Sequence, residues 1–588
     1  MGRYILGLHS GHNASACIGD ESGQIFAIQE ERLTGEKNYW GTPKNAIRAC
    51  LSRVNATPRD LIAVAHGSTQ AFCAYHSRDD VLRAYSRQNS LLGKFRQRIA
   101  VPLFIKLRPN WGQERLAADL ADVGLSEVER THHDHHRAHA ATAYYGLRRS
   151  PNEKCLVLTC DGDGDGLCTS VRVMGGGDDK LIAATPWDNS LGALYSWITF
   201  GMGFVPLEHE YKLMGMAPYA SDKAAAEMAK IFARYLGFDS TGLEFKRHTF
   251  RRTNDLAENL FRDLKGKRFD YICAGLQRFT EDMLCQWTAN AVRATGVNRV
   301  LAAGGVFMNV KANKRIGELP EVESFEAFPS CGDETLSIGA YYLEAAKRFG
   351  GDRLPPLNHF YLGDDLDEEE TAREVEQCGF YSTKPADIAS AVAALLADGQ
   401  PVARCAGPME FGARALGNRS ILADSRNQDV VRVINQMVKK RDFWMPFAPM
   451  IMESRQDEYI ENPKRLASPF MMMTFDTKDN FREMIAAVHN ADLTCRAQLL
   501  RPEQNPPMYS ILEAFARRTG RAVILNTSFN LHGFPIVRTA ADALHVFKNS
   551  GLEFLQVGTY LVSKQPFGRT GDAAAPAHSK VPAAAQLT

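Results

Sequence analysis

Five histidines occur close together in the segment THHDHHRAHAATAYY. Imidazoles four residues apart on a helix lie on the same face, so two of them can bind one metal ion. Two pairs have that spacing, His132/His136 and His135/His139. Asp134 is a good N-cap for a helix that begins at the next residue, which favours His135/His139 because both would then lie on regular helix. A histidine-rich surface without a metal is the alternative.

The sequence DGDGDG, residues 161–166, supplies carboxylates directly after an apolar run that predicts a buried strand. A strand end holds a ligand rigidly, and the glycines leave room for a nucleotide or a metal. Mixed imidazole and carboxylate ligands suit Fe(II), Mn(II) or Zn(II) better than Ca²⁺ or Mg²⁺. The segment is not an EF-hand loop, because the closing acidic residue and the preceding helix are missing. Walker A and Rossmann glycine motifs are also missing, so a nucleotide needs another binding architecture.

Two further groups of residues could do chemistry. His12 lies at a strand–turn junction and could accept a proton from a substrate hydroxyl near neutral pH; a histidine satisfied by turn backbone is the alternative. In the last third of the chain, several cations lack matching local acids and occur with amide and hydroxyl side chains, which indicates a pocket for phosphate groups. These residues are Arg414, Arg419, Lys439, Lys440, Arg441, Arg496, Asn526, Ser528 and Asn530.

Strands and turns must position these groups. The first 40 residues predict a meander of short strands separated by polar turns, and a second opening of the same kind begins at Lys154. Two such openings indicate two related halves. A third predicted strand, Arg299–Ala303, runs into Gly304 and Gly305, where glycine lets backbone approach a ligand and a following helix would supply amide donors.

The domain organisation follows from a few breaks in the pattern. A Pro-rich stretch that ends in acidic residues predicts a linker, and beyond it a helix is expected at Asp387–Ala397 and a strand at Pro401–Cys405. Low-complexity Ala and Pro at the end predict a disordered tail. The predicted units are 1–353 (with lobes of about 1–150 and 151–353), the linker 354–366, a second domain 367–568 and the tail 569–588.

The segment from Arg78 to Arg115 is basic, with nine Lys or Arg against three Asp or Glu. Apolar residues recur in it at helical spacing, which predicts an amphipathic surface helix with a solvated basic face. A lid or wall over an acceptor or an anionic ligand is the alternative. The apolar residues are Leu91, Leu92, Phe95 and Ile99.

Composition excludes several classes of protein. Of the 588 residues 45% are hydrophobic and 23% charged, which is typical of a globular multidomain enzyme. Lys plus Arg is 69 and Asp plus Glu is 68, a balance that argues against coating nucleic acid or an anionic membrane. No apolar run suits a membrane span, and the N-terminus does not read as a secretory signal. Twelve cysteines without a CxxC pair predict reduced thiols in a cytoplasmic protein.

Taken together, the order of short motifs resembles the O-carbamoyltransferases of the nodulation, cephalosporin and tobramycin type, over about 1–350 and 365–565. The resemblance implies an α/β protein with an actin-like, two-lobed N-terminal domain related to the tRNA threonylcarbamoyl transferases. It implies a YrdC-like C-terminal domain that makes carbamoyl adenylate from carbamoyl phosphate and ATP with Mg²⁺. The motifs are GHNASA, EER, HHRAHAATAYY, KLMGMA, AAGGVFMN, SCGDE, EFGARALGNRS, KKRDFWMPFAP and NTSFN.

The resemblance also assigns roles to individual residues. His12 corresponds to the base for the acceptor hydroxyl. The site for Fe²⁺, or another divalent transition metal, corresponds to His135, His139, Asp161 and Asp333. Nucleotide or carbamoyl-adenylate binding corresponds to Lys212, Gly304, Gly305 and Asn309. The predicted phosphate pocket for carbamoyl phosphate and ATP consists of Arg414, Lys439, Arg441, Arg496, Ser528 and Asn530.

One residue departs from the family pattern. Met445 stands where many members have arginine, so one phosphate-binding cation is missing. Either Arg441 or Lys440 replaces it, or the adenylate-forming half-reaction is altered. A further hypothesis is that the chain is a non-catalytic binding protein of the same fold, and Met445 is the only residue that supports it.

The resemblance predicts transfer of a carbamoyl group to a hydroxyl of a small natural product, such as an antibiotic, a sugar or a macrolide. The alternative function is that of a tRNA threonylcarbamoyladenosine-type transferase. The fused second domain and the absence of a strong positive charge disfavour it, because tRNA binding needs a broad basic face. We therefore expect a small-molecule acceptor and neither a nucleic-acid nor a membrane partner; a homodimer is compatible with the sequence.

Overall fold

A mixed α/β architecture with two five-stranded sheets and one eight-stranded sheet forms the body of the chain. The structure is a computed structural model. We call residues up to 353 the N-terminal half and residues from 367 the C-terminal half. The described residues are 3–71, 77–87, 93, 101–435, 438 and 442–567.

The first sheet contains the predicted N-terminal meander. Its central strand, Tyr4–His9, pairs antiparallel with Ser15–Gly19 and parallel with Leu61–His66. The carboxyl ends of its parallel strands therefore meet at one edge, where polar side chains can gather. The strand order is Ile25–Gln29, Ser15–Gly19, Tyr4–His9, Leu61–His66 and Arg130–His132.

The second sheet repeats this topology. Its central strand, Cys155–Gly164, pairs antiparallel with Leu167–Gly175 and parallel with Arg299–Ala303. Two sheets with the same order and the same strand directions are what a duplicated unit would give. The strand order is Asp178–Pro186, Leu167–Gly175, Cys155–Gly164, Arg299–Ala303 and Ser324–Ala327.

Two helices between these sheets approach each other closely. Helix Leu336–Phe349 packs against helix His135–Leu147 and against the first sheet. A Cβ at Gly339 would lie 2.1 Å from the carbonyl oxygen of Ala138, so only glycine permits this helix–helix distance. Their close contact brings the residues just before Leu336 to the histidine-bearing helix.

The C-terminal half is built on the eight-stranded sheet. Its predicted helix begins at Ile388 and ends at Ala397, with the Asp387 carboxylate accepting a hydrogen bond from the backbone N–H of Ser390. The strand order is Tyr381–Thr383, Tyr560–Ser563, Phe554–Val557, Val402–Cys405, Arg419–Ala423, Val523–Ser528, Ala448–Met452 and Gln498–Leu500.

Segment 354–366, predicted as a linker, has no helix or strand but is packed between the halves. Phe360 is buried, and its ring meets the rings of Phe328 at 5.3 Å and Phe411 at 5.7 Å. The backbone N–H of Ala27 donates to the carbonyl of Leu362 at 3.0 Å. Buried apolar residues of both halves form one contiguous cluster, so the halves share a core.

The remaining elements cover the sheets or connect strands. The other α-helices are Glu31–Thr34, Lys44–Arg53, Arg78–Arg87, Val101–Leu107, Trp111–Ala121, Leu191–Gly201, Glu210–Met216, Asp222–Phe232, Ala257–Leu264, Phe269–Thr295, Val310–Glu318, Glu368–Gln377, Asp429–Ile434, Pro506–Thr519 and Ala540–Lys548. The 3₁₀ helices are Pro58–Asp60, Trp187–Asn189, Ala217–Tyr219, Thr253–Asp255, Gly305–Met308, Asp333–Thr335, Gly351–Arg353, Glu453–Glu458 and Asp479–Ala487. Small two-stranded sheets join Gly11–His12 to Trp40–Gly41, Leu236–Phe238 to Phe245–Arg247, and Phe475–Asp476 to Thr494–Cys495.

Several sequence predictions concern the surface and the thiols. Leu91, Leu92, Phe95 and Ile99 of the basic segment, and the tail from 569, lie outside the described residues. No helix in the described ranges is long and apolar enough to cross a membrane. The described cysteines are all unpaired thiols, and all but Cys378 are buried, as the absence of CxxC pairs predicts.

Candidate metal centre and its surroundings

Four side chains from three separate segments converge at the edges of the two N-terminal sheets. Their ligand atoms all lie within 4.8 Å of one another. The Nε2 atom of His139 lies 3.2 Å from Asp161 Oδ2 and 3.6 Å from Asp333 Oδ1. The Nε2 atom of His135 lies 4.0 Å and 3.7 Å from the same two oxygens. We call His135, His139, Asp161 and Asp333 the candidate metal centre.

The histidine-bearing helix begins where the sequence predicts. Asp134 is its N-cap and accepts a hydrogen bond from the backbone N–H of Arg137 at 2.8 Å, an interaction worth about 1 kcal/mol. The alternative pair does not form. His132 lies on a strand, and the ring of His136 is buried with its Nδ1 atom 2.8 Å from Thr159 Oγ1.

Unpartnered nitrogens indicate that the centre takes a ligand. The Nε2 atoms of His135 and His139 are buried and have no hydrogen-bond partner among the described residues. Leaving a buried polar atom unpaired costs roughly 1–3 kcal/mol, so such atoms usually have a partner. Two imidazoles and two carboxylates are a donor set suited to a divalent transition metal. These residues fit the predicted ion.

Charge at the centre is arranged to hold a cation. Burial alone would lower the pKa of His135, but the neighbouring Asp161 and Asp333 raise it to about 9. Burial alone would raise the pKa of Asp161, but His135 and His139 bring it well below its ordinary value. The carboxylates therefore stay ionised at neutral pH, where a metal ion would replace the protons on the imidazoles.

The turn after strand Arg299–Ala303 touches the centre directly. The backbone N–H of Gly305 donates to Asp161 Oδ2 at 3.0 Å, which fixes one ligand oxygen. Gly304 has a φ of 98°, and a Cβ there would lie 2.4 Å from the carbonyl of Cys160. The side-chain amides of Asn309 and Gln277 form two reciprocal hydrogen bonds, each 2.9 Å long. The nucleotide-binding roles of these three predicted residues stay predictions.

The third aspartate of DGDGDG has a function that sequence reasoning missed. Asp165 accepts hydrogen bonds from the Ser68 hydroxyl at 2.8 Å, from the backbone N–H groups of Thr69 and Gln70, and from the backbone N–H of His135 at 2.9 Å. One carboxylate thus ties the loop after strand Leu61–His66 to the first residue of the metal-binding helix. Its φ of 51° lies in the left-handed region that Asp tolerates.

His12 lies on the short strand Gly11–His12, which pairs with Trp40–Gly41. Its ring centroid is 4.4 Å from that of Trp40, and its Nδ1 atom is 3.4 Å from the Asn13 amide nitrogen. Burial lowers the pKa of His12 although the charges of Asp333 and Asp161 oppose that shift. The imidazole is therefore neutral at pH 7 and able to accept a proton.

A second histidine, which the sequence pattern does not single out, connects His12 to the centre. His9 is buried, and its Nε2–H donates to the carbonyl of His12 at 3.0 Å. The same nitrogen lies 4.0 Å from Asp333 Oδ2. Burial lowers the pKa of His9 to about 4, so it stays neutral. The only sequence signal was its position at the end of a predicted strand.

Arg414 lies against the N-terminal half. Its loop is shaped by Glu410, whose Oε1 accepts from the backbone N–H groups of Leu416, Asn418 and Arg419. The same loop contacts the N-terminal half, where the backbone N–H of Ala413 donates to Ser330 Oγ at 2.9 Å. Burial lowers the pKa of Arg414, and its buried Nε has no partner in the described part of the chain. Arg414 is half-buried, and a guanidinium with an unpartnered nitrogen suits an anionic ligand.

Two of the predicted phosphate ligands are committed to structure instead. Arg419 is fully buried and donates to backbone carbonyls that include Gly407 at 2.8 Å and Arg538 at 3.1 Å. The amide of Asn526 donates to the carbonyl of Ala415 and to Gln498 Oε1. Arg419 and Asn526 were therefore wrongly included in the phosphate pocket, because local sequence does not reveal which polar side chains the backbone occupies.

Of the other residues of the predicted phosphate pocket, those that the structure describes lie on loops or at a strand end. Ser528 ends a strand, and its hydroxyl donates to Asn530 Oδ1 at 2.8 Å. Arg496 is half-buried in the short connection between Thr494–Cys495 and Gln498–Leu500. Lys439, Lys440 and Arg441 lie outside the described residues.

Lys212 and Met445 both lie at the boundary between the halves, and each contacts a residue of the opposite half. The Nζ atom of Lys212 lies 3.0 Å from Asp442 Oδ2. The sulfur of Met445 faces Gly215, where an added Cβ would lie only 2.7 Å from it. The position that departs from the family pattern thus borders the N-terminal half.

Comparisons with known proteins match the two parts of the chain to two family models. The family model described as carbamoyltransferase N-terminus matches residues 4–342, and the one described as carbamoyltransferase C-terminus matches 393–564. The nodulation protein NolNO of Sinorhizobium fredii is 30% identical over 94% of this chain and 79% of its own. The nodulation protein NolO of Bradyrhizobium diazoefficiens is 33% identical over 74% of this chain and 79% of its own.

Solved structures are more distant. Full-length HypF in a phosphate- and nucleotide-bound form is 14% identical with a TM-score of 0.32, over 60% of this chain and 56% of that one. The 2-hydroxyglutaryl-CoA dehydratase component A of Acidaminococcus fermentans is 13% identical with a TM-score of 0.31, over 59% of this chain and 100% of that one. These likenesses are too low to assign a fold. The two family models together cover most of the sequence, and the chain belongs to the carbamoyltransferase family.

Proposed function

We propose that this carbamoyltransferase transfers a carbamoyl group from carbamoyl adenylate to a hydroxyl of a small natural product. One observation carries the proposal: His135, His139, Asp161 and Asp333 converge with unpartnered imidazole nitrogens, beside a neutral histidine and a half-buried arginine from the other half. The centre suits a metal, the histidine suits a proton acceptor and the arginine suits an anion.

The two halves divide the work in this proposal. The C-terminal half, as a YrdC-like domain, converts carbamoyl phosphate, ATP and water into carbamoyl adenylate, pyrophosphate and phosphate. Carbamoyl phosphate is a poor donor to an unactivated alcohol, whereas the mixed anhydride with AMP has a better leaving group. The N-terminal half, as a two-lobed actin-like domain, catalyses the transfer. The repeated sheet topology supports that assignment.

The metal is proposed to be Fe²⁺ or another divalent transition metal, held by the four side chains of the candidate metal centre. When bound, it would act as a Lewis acid toward the carbamoyl oxygen. Asp165 and the N–H of Gly305 keep this set in position by fixing the start of the histidine helix and the Asp161 carboxylate. Held in this way, the ligands lose little freedom when the ion arrives.

His12 is the proposed base. The acceptor oxygen attacks the carbamoyl carbon while the imidazole removes the hydroxyl proton, and the bond to the AMP oxygen breaks. Because burial lowers the pKa of His12, the neutral form needed for this step is present at pH 7. The hydrogen bond from His9 to the His12 carbonyl fixes the backbone there.

Arg414 and Lys212 are the proposed partners for the phosphate charge. Arg414 is half-buried next to the segment that carries Asp333, since the N–H of Ala413 donates to Ser330, and Lys212 lies at the same boundary. Enclosing the intermediate between the halves would exclude water, which otherwise hydrolyses a mixed anhydride.

The test is ATP–pyrophosphate exchange with and without carbamoyl phosphate, followed by a screen of hydroxylated acceptors. Exchange that requires carbamoyl phosphate, together with an acceptor product heavier by one carbamoyl group, is the expected result. If metal-loaded protein shows no ATP–pyrophosphate exchange, either without acceptors or in the presence of the acceptor panel, the adenylate route is excluded. Exchange without any carbamoylated product would point to an acceptor outside the panel or to a different use of the adenylate.

A further inference from the structure

The helix Glu210–Met216 of the N-terminal half is held by the C-terminal half at three points. The Nζ atom of Lys212 is paired with Asp442 at 3.0 Å, and the indole N–H of Trp444 donates to the carbonyl of the same lysine at 3.1 Å. At the next turn, the ring of His489 hydrogen-bonds through Nε2 to the carbonyl of Gly215 at 2.8 Å. Both the side chain and the backbone of Lys212 are therefore fixed from the other half.

Close packing restricts movement of the helix relative to the loop at this contact. A Cβ at Gly215 would lie 2.7 Å from the Met445 sulfur and 3.1 Å from the carbonyl of Trp444, so the helix and the loop touch at backbone distance. The Trp444 ring also meets the ring of Phe269 at 6.3 Å. A shift of the loop would therefore have to move the helix with it.

The same helix borders the proposed reaction site. The charge of Glu208, just before it, is among those that act on His12. Tyr211 lies within electrostatic range of Arg414, the half-buried cation of the other half. Residues 208 and 211 therefore lie close enough to act electrostatically on the proposed base and on the proposed phosphate ligand.

The ion pair itself is partly buried. The side chain of Lys212 is 17% exposed and that of Asp442 is 30% exposed. The ammonium also lies 5.0 Å above the ring of Phe204, which favours a fixed orientation. An anion that approaches this lysine meets an ammonium already held in place by Asp442.

We propose that Asp442 and Trp444 are positioning residues that hold Lys212 and its helix against the C-terminal half, so that carbamoyl adenylate stays between the halves until an acceptor takes the carbamoyl group. The inference rests on the proposed function. Its consequence is specific: breaking the contact leaves adenylate formation intact and lets the intermediate escape.

Escape can be measured without knowing the acceptor, by using hydroxylamine as a trap. Its nitrogen attacks the carbamoyl carbon of released adenylate, the bond to the AMP oxygen breaks, the nitrogen loses its proton to buffer, and hydroxyurea and AMP form. Hydroxyurea is measured per pyrophosphate released, with ATP-free samples subtracted to remove direct reaction with carbamoyl phosphate. Carbamoyl-phosphate-dependent exchange is measured on the same preparations.

The variants are D442N, W444F and a matched control. Asp476 pairs with Lys314 at 2.9 Å across the same two halves, so D476N removes an inter-half ion pair away from Lys212. We expect D442N and W444F to raise hydroxyurea per pyrophosphate by about tenfold with unchanged exchange, the effect of losing one coupled pair. D476N should behave like wild type, and D442E should restore most of the retention.

Three outcomes would overturn the proposal. One is the same hydroxyurea yield in D442N as in wild type; another is the same rise in D476N, which would mean that any weakening of the interface suffices. The third is a rise in K212M/D442N well above that in K212M, because residues acting through one contact should not add. Hydrogen exchange of residues 210–216 should increase in D442N and not in D476N, which distinguishes local release from unfolding. A wild type without exchange would instead refute the proposed function.

Discussion

The candidate metal centre and the predicted phosphate pocket differ in how the chain builds them. Each metal ligand lies on or beside a regular element: His135 and His139 on a helix, Asp161 on a strand and Asp333 at the turn before a helix. Those elements pack directly against one another. The pocket residues that the structure describes, Arg414, Arg496, Ser528 and Asn530, instead lie on loops or at a strand end. Ala413, next to Arg414, contacts Ser330 of the other half.

This difference suggests a division between rigidity and adaptation. Ligands on packed helices and strands are held within a few tenths of an ångström, which metal binding needs. A pocket at a boundary between two halves can change when substrates enter and leave. The following predictions test whether the two regions are separable in function.

The largest effect is expected at the centre. D161N keeps the shape of the side chain but removes the charge that faces His135 and His139. We expect loss of the bound metal and a fall in carbamoyl transfer of about a thousandfold, because a bound ion stabilises charge by several kcal/mol. Metal analysis and product formation measure these effects. The control is D178N, which changes an exposed aspartate at the start of strand Asp178–Pro186.

Exchange in the C-terminal half should survive D161N. If exchange falls in parallel with transfer, the two regions act as one site and the division drawn above is wrong.

A second large effect is expected from H12Q. Glutamine retains much of the contact with Trp40 but cannot act as the base. Transfer should fall by about a hundredfold, the usual contribution of a general base, while exchange and metal content stay unchanged. The rates of acceptor carbamoylation and of exchange, measured on one preparation of H12Q, test this prediction. A loss of metal in H12Q would show that this histidine supports the centre instead.

The wild-type pH profile gives an independent check on His12. The imidazole must be neutral to accept a proton, and burial moves its pKa below the ordinary value of 6.5. Transfer should therefore hold as pH falls through 6.5 and decline only at lower pH, provided that the metal remains bound. An acid limb at or above 6.5 that is absent from exchange would contradict this assignment.

These residues also show how far sequence could lead. Helical spacing and the Asp134 cap predicted the histidine pair that the structure brings together with Asp161 and Asp333, because both signals are local in the chain. Asp333 came only from the family resemblance, since nothing in the neighbourhood of residue 333 reveals the approach of a helix from residue 135. His9 and Asp165 were missed for the same reason: their partners are distant in sequence.

The C-terminal half was harder to predict. Arg419 and Arg414 look alike as unmatched cations in one motif. Backbone carbonyls accept hydrogen bonds from Arg419, whereas the Nε of Arg414 has no partner among the described residues. The distinction depends on how the loop folds around Glu410. Strand and helix positions in this half, such as Ile388–Ala397, followed from hydrophobic periodicity and turn residues alone.

A smaller effect is expected for Asp165. Its carboxylate accepts from four donors, including the N–H of His135, and an amide in D165N could accept with one oxygen only. We expect affinity for the metal to fall by about tenfold, as for other residues that orient metal ligands. Titration with Co²⁺ followed by absorption measures it. An unchanged affinity with a lower melting temperature would limit Asp165 to stability.

The smallest effect is expected from restoring the family residue, M445R. The Met445 sulfur packs on Gly215, so an arginine there must turn away from the helix or displace it. A turned guanidinium could add one cation to the phosphate pocket. We expect the KM for carbamoyl phosphate in exchange to fall by less than about tenfold with kcat unchanged, since one more partly hydrated contact adds 1 kcal/mol or so. A hundredfold gain in exchange would mean that methionine has impaired the adenylate-forming site, and that the C-terminal half of this chain has diverged in function from its family. A gain accompanied by more hydroxyurea per pyrophosphate would show instead that the arginine opens the contact at Gly215, so that better substrate binding comes at the expense of retention.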